Sequence, residues 1–149
     1  MKAVIQRVSQ AEVRVNGEST GRIGKGLLVL LGVAKGDGEK ERQWIVDKIC
    51  HLRIFPNDSG KFDRSLLDVQ GDILIVSQFT LFGDCRKGRR PGFEAAAPPE
   101  LAEAVYEQVI NDFKQKGVFT QSGRFGAMMD VDLVNEGPVT LILETPNAS

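Results

Sequence analysis

The Gly137-Pro138 dipeptide is the first candidate for chemistry, because it interrupts a run of strand-forming residues that extends from Val131 to Leu143. Proline lacks a backbone N–H and glycine lacks a Cβ, so the pair belongs at a bulge, an edge or a corner of a sheet. A bend of this kind leaves backbone carbonyl oxygens unpaired. Fixed carbonyl oxygens could hold an ammonium group without any catalytic side chain. A simple hairpin corner is the commoner explanation of such a dipeptide.

A second candidate is the tetrapeptide Ser77-Gln78-Phe79-Thr80, which directly follows an apolar run. Loops at the end of a strand commonly carry functional groups. The Phe79 ring could stack on a base, and the neighbouring hydroxyl and amide groups could bond a ribose 2′-OH, which is how single-stranded RNA ends are often recognised. An ordinary half-exposed strand would use the same residue types, so both interpretations stay open on residue types alone.

A third candidate is the basic segment that contains Arg86, Lys87, Arg89 and Arg90. Four cations within five residues, in a stretch rich in glycine and proline, indicate a loop that could bind phosphate groups. The alternative is a solvated loop without a ligand. Cys85 adjoins these cations, and positive neighbours favour a thiolate, so a reactive thiol is a further alternative.

Several common catalytic arrangements do not fit the sequence. The single histidine, His51, falls at the predicted end of a helix, and no serine lies in a Gly-x-Ser-x-Gly turn, so a hydrolytic triad is not predicted. No glycine spacing matches a phosphate-binding loop or a dinucleotide fingerprint. Cys50 and Cys85 have no metal-ligand spacing, and we expect two free thiols. We therefore predict neither a cofactor nor a metal site.

Hydrophobic periodicity predicts a mixed α/β fold with a single domain over residues 1–149. Strands and helices alternate without a visible linker or repeat. The predicted elements are strands at Val4–Val8, Ala11–Val15, Gly26–Ala34 and Asp72–Val76, a hairpin turn at Asn16-Gly17, an amphipathic helix at Glu39–Leu52, a helix that starts at Pro98-Pro99, presents Leu101, Val105, Val109 and Phe113 and ends at Gly117, and two or three closing strands.

Composition indicates a soluble protein of ordinary globular type. The 149 residues are 42% hydrophobic and 26% charged, and the longest apolar run is far too short to span a membrane. The first residues do not follow the pattern of a signal peptide, so the cytoplasm is the expected compartment. Because the net charge is −1, any attraction to nucleic acid must come from a local basic patch.

Two segments together carry a family resemblance. Ser77–Leu81 and Asn135–Thr140 resemble the two signature motifs of the D-aminoacyl-tRNA deacylases, and the similarity extends over nearly the whole chain. The resemblance implies a single-domain deacylase-like fold with a mixed, barrel-like sheet and two main helices, a homodimer with active sites at the subunit interface, and hydrolysis of the ester that joins a D-amino acid or glycine to the tRNA 3′ end. The further matching segments are Met1–Val8, Arg86–Pro91, Ala95–Pro99 and Gly123–Ala127.

The resemblance also implies roles for individual residues. Gly137 and Pro138 would form a cis peptide that reaches into the partner's pocket and excludes L-amino acids, and Arg7 would support this bend. Ser77, Gln78, Phe79 and Thr80 would bind the terminal adenosine, with the Phe79 or Thr80 N–H stabilising the oxyanion.

Two positions depart from the usual family pattern, namely Glu136 in place of aspartate and Cys85 in place of threonine. The second departure argues against a thiol in the chemistry. Two alternatives to the deacylase remain at this stage: a non-catalytic protein that binds the tRNA 3′ end, and a thiol-dependent enzyme centred on Cys85.

Overall fold

The structure is a computed structural model and describes residues 1–146; the last three residues of the predicted domain lie outside the described part. Within residues 1–146, eight strands and three α-helices follow one another. The strands are β1 (Lys2–Val15), β2 (Glu18–Ile23), β3 (Gly26–Gly32), β4 (Phe55–Pro56), β5 (Phe62–Arg64), β6 (Asp72–Ser77), β7 (Thr120–Ser122) and β8 (Asp130–Glu144), and the helices are α1 (Glu39–His51), α2 (Leu66–Val69) and α3 (Pro99–Gln115).

The long strand β1 organises the main sheet. It pairs antiparallel with β2, with β3 and, along most of its length, with β8. Strands β3, β6 and β7 then continue the sheet in parallel. The Oγ1 of Thr20 on β2 donates to the Ser122 carbonyl on β7 over 3.3 Å, so the two ends of the sheet approach each other. The predicted mixed α/β fold with a barrel-like sheet is confirmed.

Apolar side chains cover both faces of β3, as its uninterrupted apolar run predicts. Because successive strand residues point to opposite faces, Leu27 packs in the core beneath α1 and α3, and Leu28 packs in a second core on the other face. The helical core buries Ile49 of α1 and Phe113 of α3, each at most 1% exposed. The two predicted main helices are therefore confirmed as α1 and α3.

Local predictions are correct where the residue types favour one backbone conformation. Asn16 and Gly17 both have positive φ, at 51° and 81°, which is the conformation that a tight hairpin between β1 and β2 requires. Pro99 opens α3, where its missing N–H costs no hydrogen bond. No helix within residues 1–146 is long and apolar enough to cross a membrane.

Two local predictions need correction, and two short elements were not predicted. The two strands predicted on either side of Ser9 are one continuous strand, β1, with register shifts near that point. Leu101 is 41% exposed, and α3 instead buries Ala102 and Tyr106 beside the predicted Val105. The short hairpin β4–β5 and the single-turn helix α2 were not predicted, because neither has enough residues to establish a period.

Candidate active site

A cavity of about 670 Å³ opens beside the carboxyl end of β6. Its wall is mostly apolar and is built from three segments that are far apart in the sequence. The three segments are Ser77–Phe79, Ala96–Pro99 with Phe93, and Phe125–Ala127. Each belongs to one of the sequence motifs or lies beside one, so the fold brings the motifs together around one space.

The end of β6 positions the first of these segments. Ser77 is the last residue of the strand, and the N–H of Gln78 donates to the Leu31 carbonyl of the neighbouring β3 over 2.8 Å. The chain then turns into a single 3₁₀ turn, Phe79–Phe82. The alternative of a continuing strand at Ser77–Thr80 is therefore wrong.

The 3₁₀ turn has free backbone donors at its start. Within the described residues, the N–H groups of Phe79 and Thr80 donate no hydrogen bond. The first N–H groups of a helical turn have no partner within the turn, so they are available to an external acceptor. Two adjacent free N–H groups at the edge of a cavity could bind a carbonyl oxygen that develops negative charge.

Two aromatic rings meet at the mouth of the cavity. Phe79 is 54% exposed, and its ring lies edge-on to that of Phe93 at a centroid distance of 5.1 Å. Phe93 holds one edge of the Phe79 ring, and the exposed remainder offers a flat apolar surface. Such a surface suits the stacking of a base.

The polar side chains of the segment differ in exposure, since Ser77 and Gln78 are half-buried and line the cavity whereas Thr80 is exposed. The Thr80 hydroxyl accepts a hydrogen bond from the Gln78 side chain, and the Thr80 side chain is exposed and does not line the cavity.

His51 lies at the end of α1, where its ring contacts the Asp47 carbonyl at 2.9 Å, as the helix-end interpretation predicts. Cys85 is an exposed free thiol outside the cavity wall, and Cys50 is a buried free thiol.

The Gly137-Pro138 bend lies at the middle of β8, and its peptide bond is cis. Residues 136 to 139 leave the ladder with β1, which resumes at Thr140, so the bend projects from the sheet. Both Gly137 and Pro138 are exposed.

Arg7 of β1 lies under the bend and is only 7% exposed. Its Nε donates to the Glu136 carbonyl over 3.0 Å, and its Nη1 donates to the Ile54 carbonyl over 2.8 Å. The guanidinium group also lies 5.7 Å from the Phe62 ring centroid. One buried side chain thus connects the bend to the segment that follows α1.

Asn135 ties the two ends of the bend together, a role that residue-type reasoning missed. Its Oδ1 accepts from the Val139 N–H over 2.7 Å, and its Nδ2 donates to the Val139 carbonyl over 3.1 Å. The sequence signal was available, since asparagine at the start of a tight turn commonly bonds the backbone a few residues ahead.

The bend and the cavity are separate within one chain. Neither Gly137 nor Pro138 lines the cavity, and the bend's contacts are with Arg7 and Asn135 instead. The sequence motifs therefore converge only in part: three segments form the cavity, and the Gly-Pro segment lies elsewhere on the surface.

The basic loop adjoins a second cavity of about 780 Å³. Asp84 and Gly92 pair through two backbone hydrogen bonds and close the loop. The Arg86 side chain binds Asp84 at 2.8 Å, and this contact lowers the pKa of Asp84 to about 2. Among the described residues, Lys87, Arg89 and Arg90 form no ion pair.

Comparison with known proteins gives consistent results. The family model for D-Tyr-tRNA(Tyr) deacylases matches residues 4–144. A D-aminoacyl-tRNA deacylase of Desulfatibacillum aliphaticivorans is 61% identical over 97% of this chain and 99% of its own length. The corresponding enzyme of Syntrophomonas wolfei is 54% identical over 97% of each chain.

Two solved structures share the fold. One, a c-Myc DNA unwinding element binding protein, superposes with a TM-score of 0.92 at 44% identity and covers 99% of this chain and 100% of its own. The other, reported as a probable eukaryotic D-amino acid tRNA deacylase, has a TM-score of 0.80 at 20% identity over 95% of this chain and 97% of its own. At that identity, the second likeness concerns the fold alone.

Proposed function

The chain belongs to the D-Tyr-tRNA(Tyr) deacylase family and is a D-aminoacyl-tRNA deacylase, a hydrolase, and from this premise we propose how its residues act on the ester. In this proposal the enzyme removes D-amino acids, and also glycine, from the tRNA 3′ end, and it acts in the cytoplasm. The observation that carries the proposal is the pair of free Phe79 and Thr80 N–H groups beside the apolar cavity.

The terminal adenosine binds at the strand end. The exposed Phe79 ring stacks on the adenine, and the Ser77 and Gln78 side chains bond the ribose. This places the 3′-ester carbonyl oxygen within reach of the Phe79 and Thr80 N–H groups. These groups stabilise negative charge as the carbonyl carbon becomes tetrahedral.

Water is the nucleophile in this proposal. A threonine hydroxyl needs an adjacent base, and in this structure the Thr80 hydroxyl accepts a hydrogen bond from Gln78 instead. The ribose 2′-OH of the substrate positions the water, whose oxygen bonds to the carbonyl carbon. The bond from that carbon to the ribose oxygen then breaks, the proton that the water gives up passes to the ribose oxygen, and the free amino acid leaves.

In the proposed homodimer, the Gly137-Pro138 bend of one subunit selects the chirality of the amino acid that is bound in the other subunit's cavity. The bend projects from its own sheet and lies outside its own chain's cavity, so in the proposed homodimer it enters the cavity of the partner. Its carbonyl oxygens hold the α-ammonium group of the substrate, which leaves one orientation for the groups on Cα. An L side chain then collides with backbone, whereas a D side chain or the hydrogen of glycine does not.

The two alternatives have less support. A non-catalytic protein that binds the tRNA end would use the same cavity, but the relatives at 54 to 61% identity are deacylases. An enzyme centred on Cys85 has no geometric basis, because Cys85 is exposed and lines neither cavity.

The first experiment incubates the purified protein with D-tyrosyl-tRNA and L-tyrosyl-tRNA in parallel, with a chelator present, and follows the fraction of tRNA that stays charged. We expect rapid loss of the D-ester only, and the same result with glycyl-tRNA as with the D-ester. Loss of both chiral esters would contradict selection by the bend. Unchanged turnover in Cys85→Ser is the expected control.

A further inference from the structure

The second cavity shares a thin wall with the active-site cavity. Phe93 and Ala96 line the active-site cavity, whereas Glu94 and Ala95 line the second cavity. These four residues form a turn, in which the Ala96 N–H donates to the Phe93 carbonyl over 3.1 Å, so the tip of the turn faces the second cavity and its base faces the active-site cavity. Consecutive Cα atoms are only about 3.8 Å apart, so the two cavities are immediate neighbours.

The shared wall is held in place from both sides. The Lys35 N–H donates to the Ala95 carbonyl over 3.1 Å, and the Ala97 N–H donates to the Val33 carbonyl over 2.9 Å. On the other side, the 3₁₀ turn contributes Phe79 to the active-site cavity and Phe82 to the second cavity. A ligand that continues beyond the active-site cavity therefore meets a preformed second site.

The charged residues that line the second cavity differ in whether they form an ion pair within residues 1–146. Lys87 and Arg90 are exposed cations without an ion pair in residues 1–146, whereas Arg86 is held by Asp84. Glu94 is an exposed carboxylate and, within the same described part of the chain, it also forms no ion pair. Phe82 adds a half-buried aromatic surface.

We propose that this second cavity binds the nucleotide that precedes the terminal adenosine, with Lys87 and Arg90 on the phosphate that joins the two nucleotides and Glu94 on the base of the preceding one. The inference rests on the proposed binding of the adenosine at Phe79. That nucleotide is a cytidine in tRNA, and the exocyclic amino group of cytosine is a donor that pairs naturally with a glutamate carboxylate. Phe82 supplies the apolar wall against the base.

The test compares the D-tyrosyl esters of adenosine, of the dinucleotide cytidylyl-adenosine and of the dinucleotide uridylyl-adenosine. For the unaltered protein we expect kcat/KM for the cytidine-containing ester to exceed that for the adenosine ester by roughly ten-fold, as charged hydrogen bonds to a phosphate and a base can provide. The uridine-containing ester should gain less, because uracil presents an acceptor where cytosine has a donor.

Variants then assign the gain to this cavity. In the Lys87→Ala/Arg90→Ala double variant, the ratio of the two kcat/KM values, cytidylyl-adenosine over adenosine, should fall toward one, and Glu94→Gln should reduce the preference for cytidine over uridine. Arg89→Ala is the matched control, because Arg89 carries the same charge in the same loop but does not line the cavity. It should keep the ratio of the unaltered protein.

The possible failures are distinguishable. Equal kcat/KM for the adenosine and dinucleotide esters, or an equal loss in Arg89→Ala, would overturn the assignment of this cavity and leave the proposed deacylation intact. Failure to cleave any D-tyrosyl ester, including D-tyrosyl-tRNA, would overturn the proposed function and this assignment with it.

Discussion

At the scale of single residues, Gly137 combines a rarely adopted backbone conformation with close neighbours. Its φ is +143°, a conformation that L side chains rarely adopt. An added Cβ would lie 2.8 Å from the Val139 Cγ2, 3.0 Å from the Val139 nitrogen and 3.3 Å from the Arg7 Nη2. Since one of these neighbours is backbone and another is the side chain that supports the bend, a methyl group cannot be accommodated without moving the bend.

We therefore expect Gly137→Ala to lower the ratio of D-ester to L-ester hydrolysis by at least about ten-fold, because a shifted carbonyl no longer holds the ammonium group. Parallel deacylation assays with D-tyrosyl-tRNA and L-tyrosyl-tRNA measure the ratio. Gly117→Ala is the matched control: its φ is also positive, at +81°, but nothing lies within 4 Å of an added Cβ. It should lose about 1 kcal/mol of stability and keep the ratio. Wild-type discrimination in Gly137→Ala would contradict the role of the bend.

A second prediction at the scale of single residues concerns Arg7. Its planar guanidinium donates to two carbonyl oxygens, those of Glu136 and Ile54, and the compact ammonium of lysine cannot reach both in the same way. Arg7→Lys should therefore leave a carbonyl unsatisfied and cost about 1 to 3 kcal/mol in the free energy of unfolding. Urea denaturation measures this cost, and the D-to-L ratio should fall in the same variant.

Arg14→Lys is the control for Arg7→Lys. Arg14 contacts Glu12 and Asp132 at the surface of β1 and β8, where solvent weakens ion pairs. We expect unchanged selectivity in this variant and little change in stability. An equal fall in selectivity for both lysine variants would mean that Arg7 does not act through the bend.

At the scale of elements, sequence patterns predicted long or chemically marked segments well. Three predictions were correct because each had a local cause in the sequence: the Asn16-Gly17 hairpin, the apolar strand β3 and the helix α3, which starts with a proline. The exposure of Leu101 was not predictable from periodicity, because Ala102 and Tyr106 continue the same helical turn and only packing against the sheet decides which side is buried. Short elements such as α2 depend on tertiary contacts in the same way.

The sequence predicted the candidate site only in part. Ser77–Thr80 could be placed at the end of a strand, but the hydrogen bond of Gln78 to Leu31 of the neighbouring strand and the 3₁₀ turn that follows could not be read from residue types. The contribution of Phe93 and Phe125 follows from the meeting of segments that are distant in the sequence. No local pattern encodes that meeting.

Tyr106 of α3 gives a prediction about how the elements are held together. Its hydroxyl is buried and donates to the Ile75 carbonyl of β6 over 2.7 Å, and burial raises its pKa to about 12. A tyrosine in the unfolded chain has a pKa of about 10, so the folded state favours the neutral phenol. This contribution to stability is complete below about pH 10 and is lost as the pH rises toward 12.

The comparison is between the unaltered protein and Tyr106→Phe, in denaturant titrations from pH 8 to pH 12. We expect Tyr106→Phe to be less stable by about 1 to 2 kcal/mol at neutral pH, and the difference should shrink above about pH 10. Cys50, whose pKa burial raises to about 11, is present in both proteins and cancels in the difference. A constant difference across this range would mean that the phenol is not held neutral by the fold.

At the scale of the whole molecule, the proposed active site combines features of two chains. The cavity of one chain has the free N–H groups and the aromatic surface, whereas the bend lies outside that cavity and faces solvent. The overall charge of −1 gives no general attraction to tRNA, so both recognition and selection depend on where these local features meet. A two-fold dimer, in which each bend enters the other chain's cavity, would form two equivalent sites.

This arrangement predicts complementation between two defective variants, Gly137→Ala and Phe79→Ala, each purified separately and shown to be folded by circular dichroism. When equal amounts are mixed and the subunits exchange, half of the dimers are heterodimers. In a heterodimer, the normal cavity of the Gly137→Ala chain receives the normal bend of the Phe79→Ala chain, and the other site carries both defects. About a quarter of all sites are then intact, so about a quarter of the unaltered D-selective activity should return. If each bend served its own chain, every site in the mixture would keep one defect, and the mixture would be no more active than the average of the two variants alone.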